Sequence, residues 1–152
     1  MKISYKYLAD LIEINETPEV LSNLLTATGL EVENIDKVDA VPGGLAGLVI
    51  GEVLTCEPHP NADRLRKTTV DIGAEKPLDI VCGAANVAAG QKVVIATVGA
   101  MLYPADGEPF EIKKSKIRGE VSEGMICAED EIGLGKSHDG IMVLDTDAPN
   151  GT

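Results

Sequence analysis

Aromatic residues are nearly absent from this chain: its 152 residues include no Trp, one Phe and three Tyr. The core must therefore be aliphatic, and a surface that reads nucleobases by stacking has little to work with. Positive charge is also scarce. Thirteen Lys and Arg stand against 25 Asp and Glu, for a formal net charge of −12. A field of that sign repels polyanions at long range, so any nucleic-acid contact must come from a local patch and must weaken quickly with salt. Cysteines number three, at 56, 82 and 127, with no CxxC pair. An odd, dispersed set indicates reduced thiols and a cytoplasmic protein. The start, Met1-Lys2-Ile3-Ser4, leads into mixed polar residues without an apolar signal region. The longest apolar runs, such as Val93 to Ala96, are strand-sized, which excludes a helical membrane span.

The hydrophobic fraction of 44% and charged fraction of 25% suit one ordinary domain, or a small domain with a helical extension. Residues 1 to 38 read as the extension. Ser4 can cap a first helix that places Tyr7, Leu8, Leu11 and Ile12 on one face. Thr17-Pro18-Glu19 is a stronger start: a capping hydroxyl, a proline at the first helical position and a carboxylate at the positive end of the helix dipole. Val20, Leu21, Leu24 and Leu25 follow as an apolar face, and Gly29 suits the left-handed stop. Leu30, Val32 and Ile35 alternate as a strand would, giving a small α+β piece.

Pro42-Gly43-Gly44 marks a boundary, and a second domain is expected over 39 to 149. Its pattern is β: Leu48 to Thr55, Lys67 to Ile72, Leu78 to Val81, Val93 to Val98, Phe110 to Lys113 and Ile141 to Leu144. Between the first two, Cys56-Glu57-Pro58-His59-Pro60 reads as a rigid turn, and Asn61 and Asp63 stiffen the loop into Arg64, Arg66 and Lys67. Glu129 to Ile132 looks like one helical turn. Five or six short strands with little helix suit a small closed barrel. Residues 150 to 152 read as the start of a linker.

Against the acidic background, Lys113, Lys114, Lys116 and Arg118 lie within six residues, punctuated by glycines 119, 124 and 133. A cationic ribbon on a β body points to a nucleic-acid backbone; an edge strand kept soluble by lysines gives the same pattern. Other motifs are weaker. Gly133-Leu134-Gly135-Lys136-Ser137 ends like a phosphate loop, but Asp130 stands where its first glycine belongs. Cys56 and His59 offer one short pair where structural zinc sites show two. His138-Asp139 and the carboxylates at 129 to 131 show no nucleophile and base at motif spacing, so catalysis has no candidate and no metal or cofactor is expected.

Three stretches, HPNADRL at 59 to 65, IVCGAANVAAGQKVVIATVGA at 80 to 100 and KKSKIRGEVSEGMICAEDEIGL at 113 to 134, closely resemble the tRNA-binding OB-fold domain. That domain occurs in bacterial phenylalanyl-tRNA synthetase beta chains, in a methionyl-tRNA synthetase appendix and in small free-standing proteins. MKISYKYLADLIEI followed by LSNLLTATGLEVENID looks like the opening of the synthetase beta chain, which the free-standing proteins lack. The resemblance implies a five-stranded OB barrel and a fragment of a longer ligase subunit. It further implies a heterotetramer of two alpha and two beta chains, charging tRNA with ATP and magnesium at sites outside this stretch. Carried onto this chain, the family's RNA-contacting positions fall on Lys113, Lys114, Ser115, Lys116, Arg118, Ser122, Met125 and Asn86. The cations Arg64, Arg66 and Lys67 join them on the physical reading of the preceding loop. tRNA, the alpha subunit and the rest of the beta chain are the expected partners, with no DNA and no membrane. An assembly module packing by the same face, or a free-standing tRNA-binding protein, are the alternatives.

Overall fold

The computed structural model describes residues 2–38, 41, 43–104 and 107–152. Pro42, the first residue of the expected boundary, and Asp39, where the second domain was placed, lie outside the described residues. By its internal contacts the chain divides into two units, Met1–Val38 and Asp39–Thr152.

The first unit holds α1 (Tyr5–Leu11) and α2 (Pro18–Ala27). Both begin at side-chain caps: Ser4 Oγ accepts from the Tyr7 N–H at 3.3 Å and Thr17 Oγ1 from Val20 at 3.4 Å. Each bond satisfies one amide that the first turn leaves open. Gly29 ends α2 in the left-handed region at φ 91°, with Gly29 N–H on the Thr26 carbonyl and Leu30 N–H on Leu25. That paired closure is available to glycine at no steric cost. Neither helix buries a residue. The strand expected through Leu30, Val32 and Ile35 is not formed. No described strand offers it a ladder, and the Val32 N–H bonds the Thr26 hydroxyl instead.

The second unit contains β1 (Leu48–His59), β2 (Ala62–Asp71), β3 (Leu78–Cys82), β4 (Lys92–Thr97), β5 (Met101–Leu102), β6 (Phe110–Glu111), β7 (Ser115–Ile117), β8 (Glu120–Ser122), β9 (Gly124–Ile126) and β10 (Val143–Leu144). The main sheet runs β3-β2-β1-β4, with β9 and β10 both on β4, all antiparallel. It curls nearly shut: Glu123 N–H bonds the Asp79 carbonyl, and Val81 N–H bonds Ser122 Oγ, bringing the segment joining β8 and β9 against β3. The result is an OB-like five-stranded barrel filled by β-branched side chains, with Val53, Val70, Ile80, Val93 and Ile95 fully buried. Gly51 shows why the wall can close so tightly. A Cβ there would lie 2.8 Å from both Ile95 Cγ1 and Val70 Cγ1.

The turn expected at 56 to 60 is corrected. β1 continues through Cys56, Glu57, Pro58 and His59, the reversal shrinks to Pro60-Asn61, and His59 pairs with Ala62. Proline is tolerated because its fixed φ is close to extended and the ladder slips between Pro58 and His59, where a missing N–H costs least. Arg64, Arg66 and Lys67 therefore sit on a strand. The basic stretch, conversely, is less regular than a ribbon: 112 to 114 carry no strand, and only Ser115–Ile117 pairs. Hydrogen-bonded turns occupy 129 to 133. The tail is held: Gly151 and Thr152 exchange backbone bonds with Ile50, and Asn150 bonds Asp71.

Candidate nucleic-acid interface

β7 and β8 form a tight hairpin in register Ser115 to Ser122, Lys116 to Val121 and Ile117 to Glu120. Its two turn residues, Arg118 at φ 48° and Gly119 at φ 103°, both have positive φ, the mirror-image turn whose twist matches a two-stranded ribbon. Arg118 is the single non-glycine residue at positive φ among the described residues. The alternation sends Lys116 and Val121 outward and Ser122 inward, where it is 2% exposed.

The expected cations fall into two sets. Lys113 pairs with Glu111 at 3.6 Å, Lys114 with Glu123 at 2.6 Å and Lys67 with Glu120 at 2.8 Å. The Lys67 hydrogen bond holds the Glu120 carboxyl below the usual range and raises the Lys67 ammonium; Lys114 likewise depresses Glu123. Lys116, Arg118, Arg64 and Arg66 are exposed, and among the described residues none has a carboxylate within 4.0 Å. Sequence reasoning saw the lysines and missed these counter-ions. Glu111 stands two residues from Lys113, whereas Glu123 meets Lys114 across the β7–β8 hairpin and Glu120 meets Lys67 of β2, contacts that the fold brings together.

The two halves of the patch are physically joined. His59, 5% exposed, has Nε2 3.1 Å from the Ile117 carbonyl, while its Nδ1 accepts the Asn61 N–H at 3.0 Å. Nδ1 as acceptor places the proton on Nε2, which donates to Ile117. Asn61 Nδ2 donates to the Arg118 carbonyl at 3.3 Å. The β1–β2 turn thus grips the β7–β8 turn.

Four expected residues, Lys113, Ser115, Ser122 and Met125, line an open groove of about 600 Å³ below this hairpin, with His138 and Asp139 on its lining. Ser122 is committed inside the fold, accepting from Val81 and donating to the Gly124 carbonyl at 3.1 Å. Asn86 is committed as well: its amide bonds the Ile141 carbonyl at 2.9 Å and the Ile141 N–H at 3.0 Å. His138 Nδ1 is 2.9 Å from Asp130 Oδ2, and that carboxylate raises the imidazole's pKa.

The other motifs resolve into structure. Leu134 and Gly135 both donate to the Glu129 carbonyl, and Gly135 lies so close to the Glu129 carboxylate that a Cβ would be 2.2 Å from it. The amides of Gly133, Leu134 and Gly135 are used within the turn, and the Glu129 carboxylate stands against Gly135 where a phosphate would meet like charge. All three cysteines are free; burial pushes the Cys127 thiol up to about 12 and Cys82 upward, while Cys56 bonds the Val87 carbonyl. Both His59 nitrogens are engaged, so Cys56 and His59 are not a ligand pair. Among the described residues no helix is long and apolar enough to cross a membrane, and no group of three or more His, Cys, Asp or Glu is placed to hold a metal ion.

The chain is 58% identical over 151 residues to the phenylalanine–tRNA ligase beta subunit of Porphyromonas gingivalis, covering 99% of this chain and 18% of that protein. It is 59% identical over 152 residues to the beta subunit of Bacteroides fragilis, again with 18% of that protein covered. The chain therefore spans about 18% of the length of these curated relatives. Among solved structures it is similar to a MetRS related protein from Pyrococcus horikoshii, at 22% identity and a TM-score of 0.49, over 68% of this chain and 84% of that one. The family model described as "Putative tRNA binding domain" matches residues 48–152, and the chain belongs to that family.

Proposed function

We propose that this chain is a non-catalytic tRNA-contacting region of a phenylalanine–tRNA ligase beta subunit, and that it grips the tRNA backbone through the tip of the β7–β8 hairpin and the adjoining end of β2. The observation that carries the reading is the set of four exposed, unpaired cations, Lys116, Arg118, Arg64 and Arg66, on two hairpins bonded to each other. Lys113 and Lys114 form a second rank, which exchanges a carboxylate for a phosphate on binding. Ser115 and Met125 line the groove beside them, whereas Ser122 and Asn86 act by holding its walls. With one Phe and no Trp, recognition is of shape and phosphate.

The ligase as a whole would be a cytoplasmic assembly of two alpha and two beta chains using ATP and Mg²⁺, with its chemistry outside this chain. That wider reading rests on the 58% and 59% identities to beta subunits. The test replaces Lys113, Lys114 and Lys116 together with Ala and titrates tRNA at low salt. A loss of at least about tenfold with the fold intact is expected from removing two or three backbone contacts. Unchanged affinity rejects the patch. A second reading, an assembly module, is favoured by the two patch lysines already neutralised by Glu111 and Glu123. Binding to the alpha subunit without tRNA binding at any salt would select it.

A further inference from the structure

Arg118 occupies a backbone position that suits Gly, Asn or Asp, at the tip of a three-residue-per-strand hairpin that is too short to hold such a conformation by itself. Something else must define it. The carbonyls on either side of the strained Cα, those of Ile117 and Arg118, are the two that receive bonds from outside the hairpin: His59 Nε2 at 3.1 Å and Asn61 Nδ2 at 3.3 Å. His59 and Asn61 are locked to each other through Nδ1 and the Asn61 N–H. Farther down, Lys67 and Glu120 tie β2 to β8. A buried imidazole with both nitrogens used is a fixed strut, not a ligating group in this fold.

We infer that His59 and Asn61 are positioning residues for RNA binding: they clamp the β7–β8 turn so that Lys116 and Arg118 meet the backbone together with Arg64 and Arg66, without themselves touching it. The inference rests on the proposed tRNA-binding role of the patch. Its physical content is preorganisation. A free tip would have to be ordered on binding, which weakens affinity without changing how many phosphates are neutralised. Salt dependence separates positioning from contact by a cation, because only a lost cation alters the slope, and order at the tip separates it from contact by an uncharged side chain.

Asn61→Ala is the central variant, since Asn61 is exposed and lies outside the left-handed region, so Ala meets no backbone strain there. In the 152-residue chain, backbone ¹⁵N order parameters at Arg118 and Gly119 should fall from about 0.85 towards 0.6. Affinity for purified tRNA should drop about threefold to tenfold, the size expected for re-ordering one or two freed side chains, at unchanged salt slope. His59→Gln keeps a donor for the Ile117 carbonyl and should retain more order and affinity than His59→Ala. Lys116→Ala is the reference: it should lower the slope by about 0.7 to 0.9 while leaving tip order intact. Affinity lost in Asn61→Ala while order at Arg118 and Gly119 is unchanged would make Asn61 a direct, uncharged contact and overturn the positioning role. Unchanged order and affinity in Asn61→Ala, with Lys116→Ala still weakening binding, would overturn the clamp alone. No binding by the unaltered chain at about 50 mM salt would instead reject the underlying reading, and with it any positioning for RNA.

Discussion

Glu123→Gln should make this chain bind tRNA more tightly. Lys114 Nζ is 2.6 Å from Glu123 Oε1, and this bond also depresses the Glu123 pKa, so at neutral pH the lysine is neutralised by its neighbour. Gln keeps an acceptor of the same shape but drops the charge, leaving Lys114 free to meet a phosphate. The Glu123 N–H bond to Asp79 that helps close the barrel is untouched. One additional duplex-type phosphate contact steepens the slope of log K against log salt by about 0.9. Extrapolated from about 1 M, where that contribution vanishes, the gain is at most about fifteenfold at 50 mM and about fourfold at 200 mM salt. Fluorescence anisotropy of labelled tRNA across that range measures both affinity and slope. The control is Glu123→Gln combined with Lys114→Ala, which should cancel the gain in slope. If the slope stays flat in Glu123→Gln, or if its gain survives loss of Lys114, the paired lysines are not held in reserve by their carboxylates and the reasoning fails.

Arg118→Gly should separate stability from binding. It relieves a left-handed residue, worth about 1 kcal/mol or more in denaturant unfolding, yet removes a cation and lowers tRNA affinity; parallel losses of both would refute it. Gly51→Ala should destabilise by about 1 to 3 kcal/mol, because its Cβ would press on Ile95 and Val70 inside the barrel. On pH, the raised His138 pKa means the imidazolium is present below that value and lost as pH rises through it, so tRNA affinity should climb as pH falls towards 6.5; His138→Gln should flatten that climb. Glu120 and Glu123 have lowered values, so their stabilising pairs persist above 4.5 and are lost as pH falls through the depressed range, which an acid titration followed by circular dichroism reads.

Much of this fold was legible because local signals were strong. Ser4 and Thr17 cap as expected, Gly29 ends α2, and the apolar runs at 78 to 82 and 92 to 97 form β3 and β4 of the main sheet. What misled was proline. Pro58 and Pro60 look like punctuation, but a strand that slips register beside them absorbs one and turns at the other. The Leu30 to Ile35 alternation failed for a different reason: period two says nothing about whether a partner strand exists. At the candidate site, composition located the cations but not their pairing. Whether a lysine faces solvent or a carboxylate depends on register between segments far apart, as Lys67 and Glu120 show. The clamp was invisible because His59 and Ile117 are 58 residues apart.

An acidic protein can hold a polyanion selectively because its field is short-ranged where it matters. At physiological salt charges are screened over about 8 Å, so the net −12 barely reaches a phosphate docked at the hairpin tip, while the nearest groups dominate. Those nearest groups include Glu111, Glu120 and Glu123 as well as the four free cations. A backbone whose phosphates coincide with Lys116, Arg118, Arg64 and Arg66 gains from each of them. On the proposed reading few aromatics are no handicap, since the contact is with phosphate and not with base faces. On that reading, holding the tip still adds an effect of about threefold to tenfold to the larger contribution of the cations it carries.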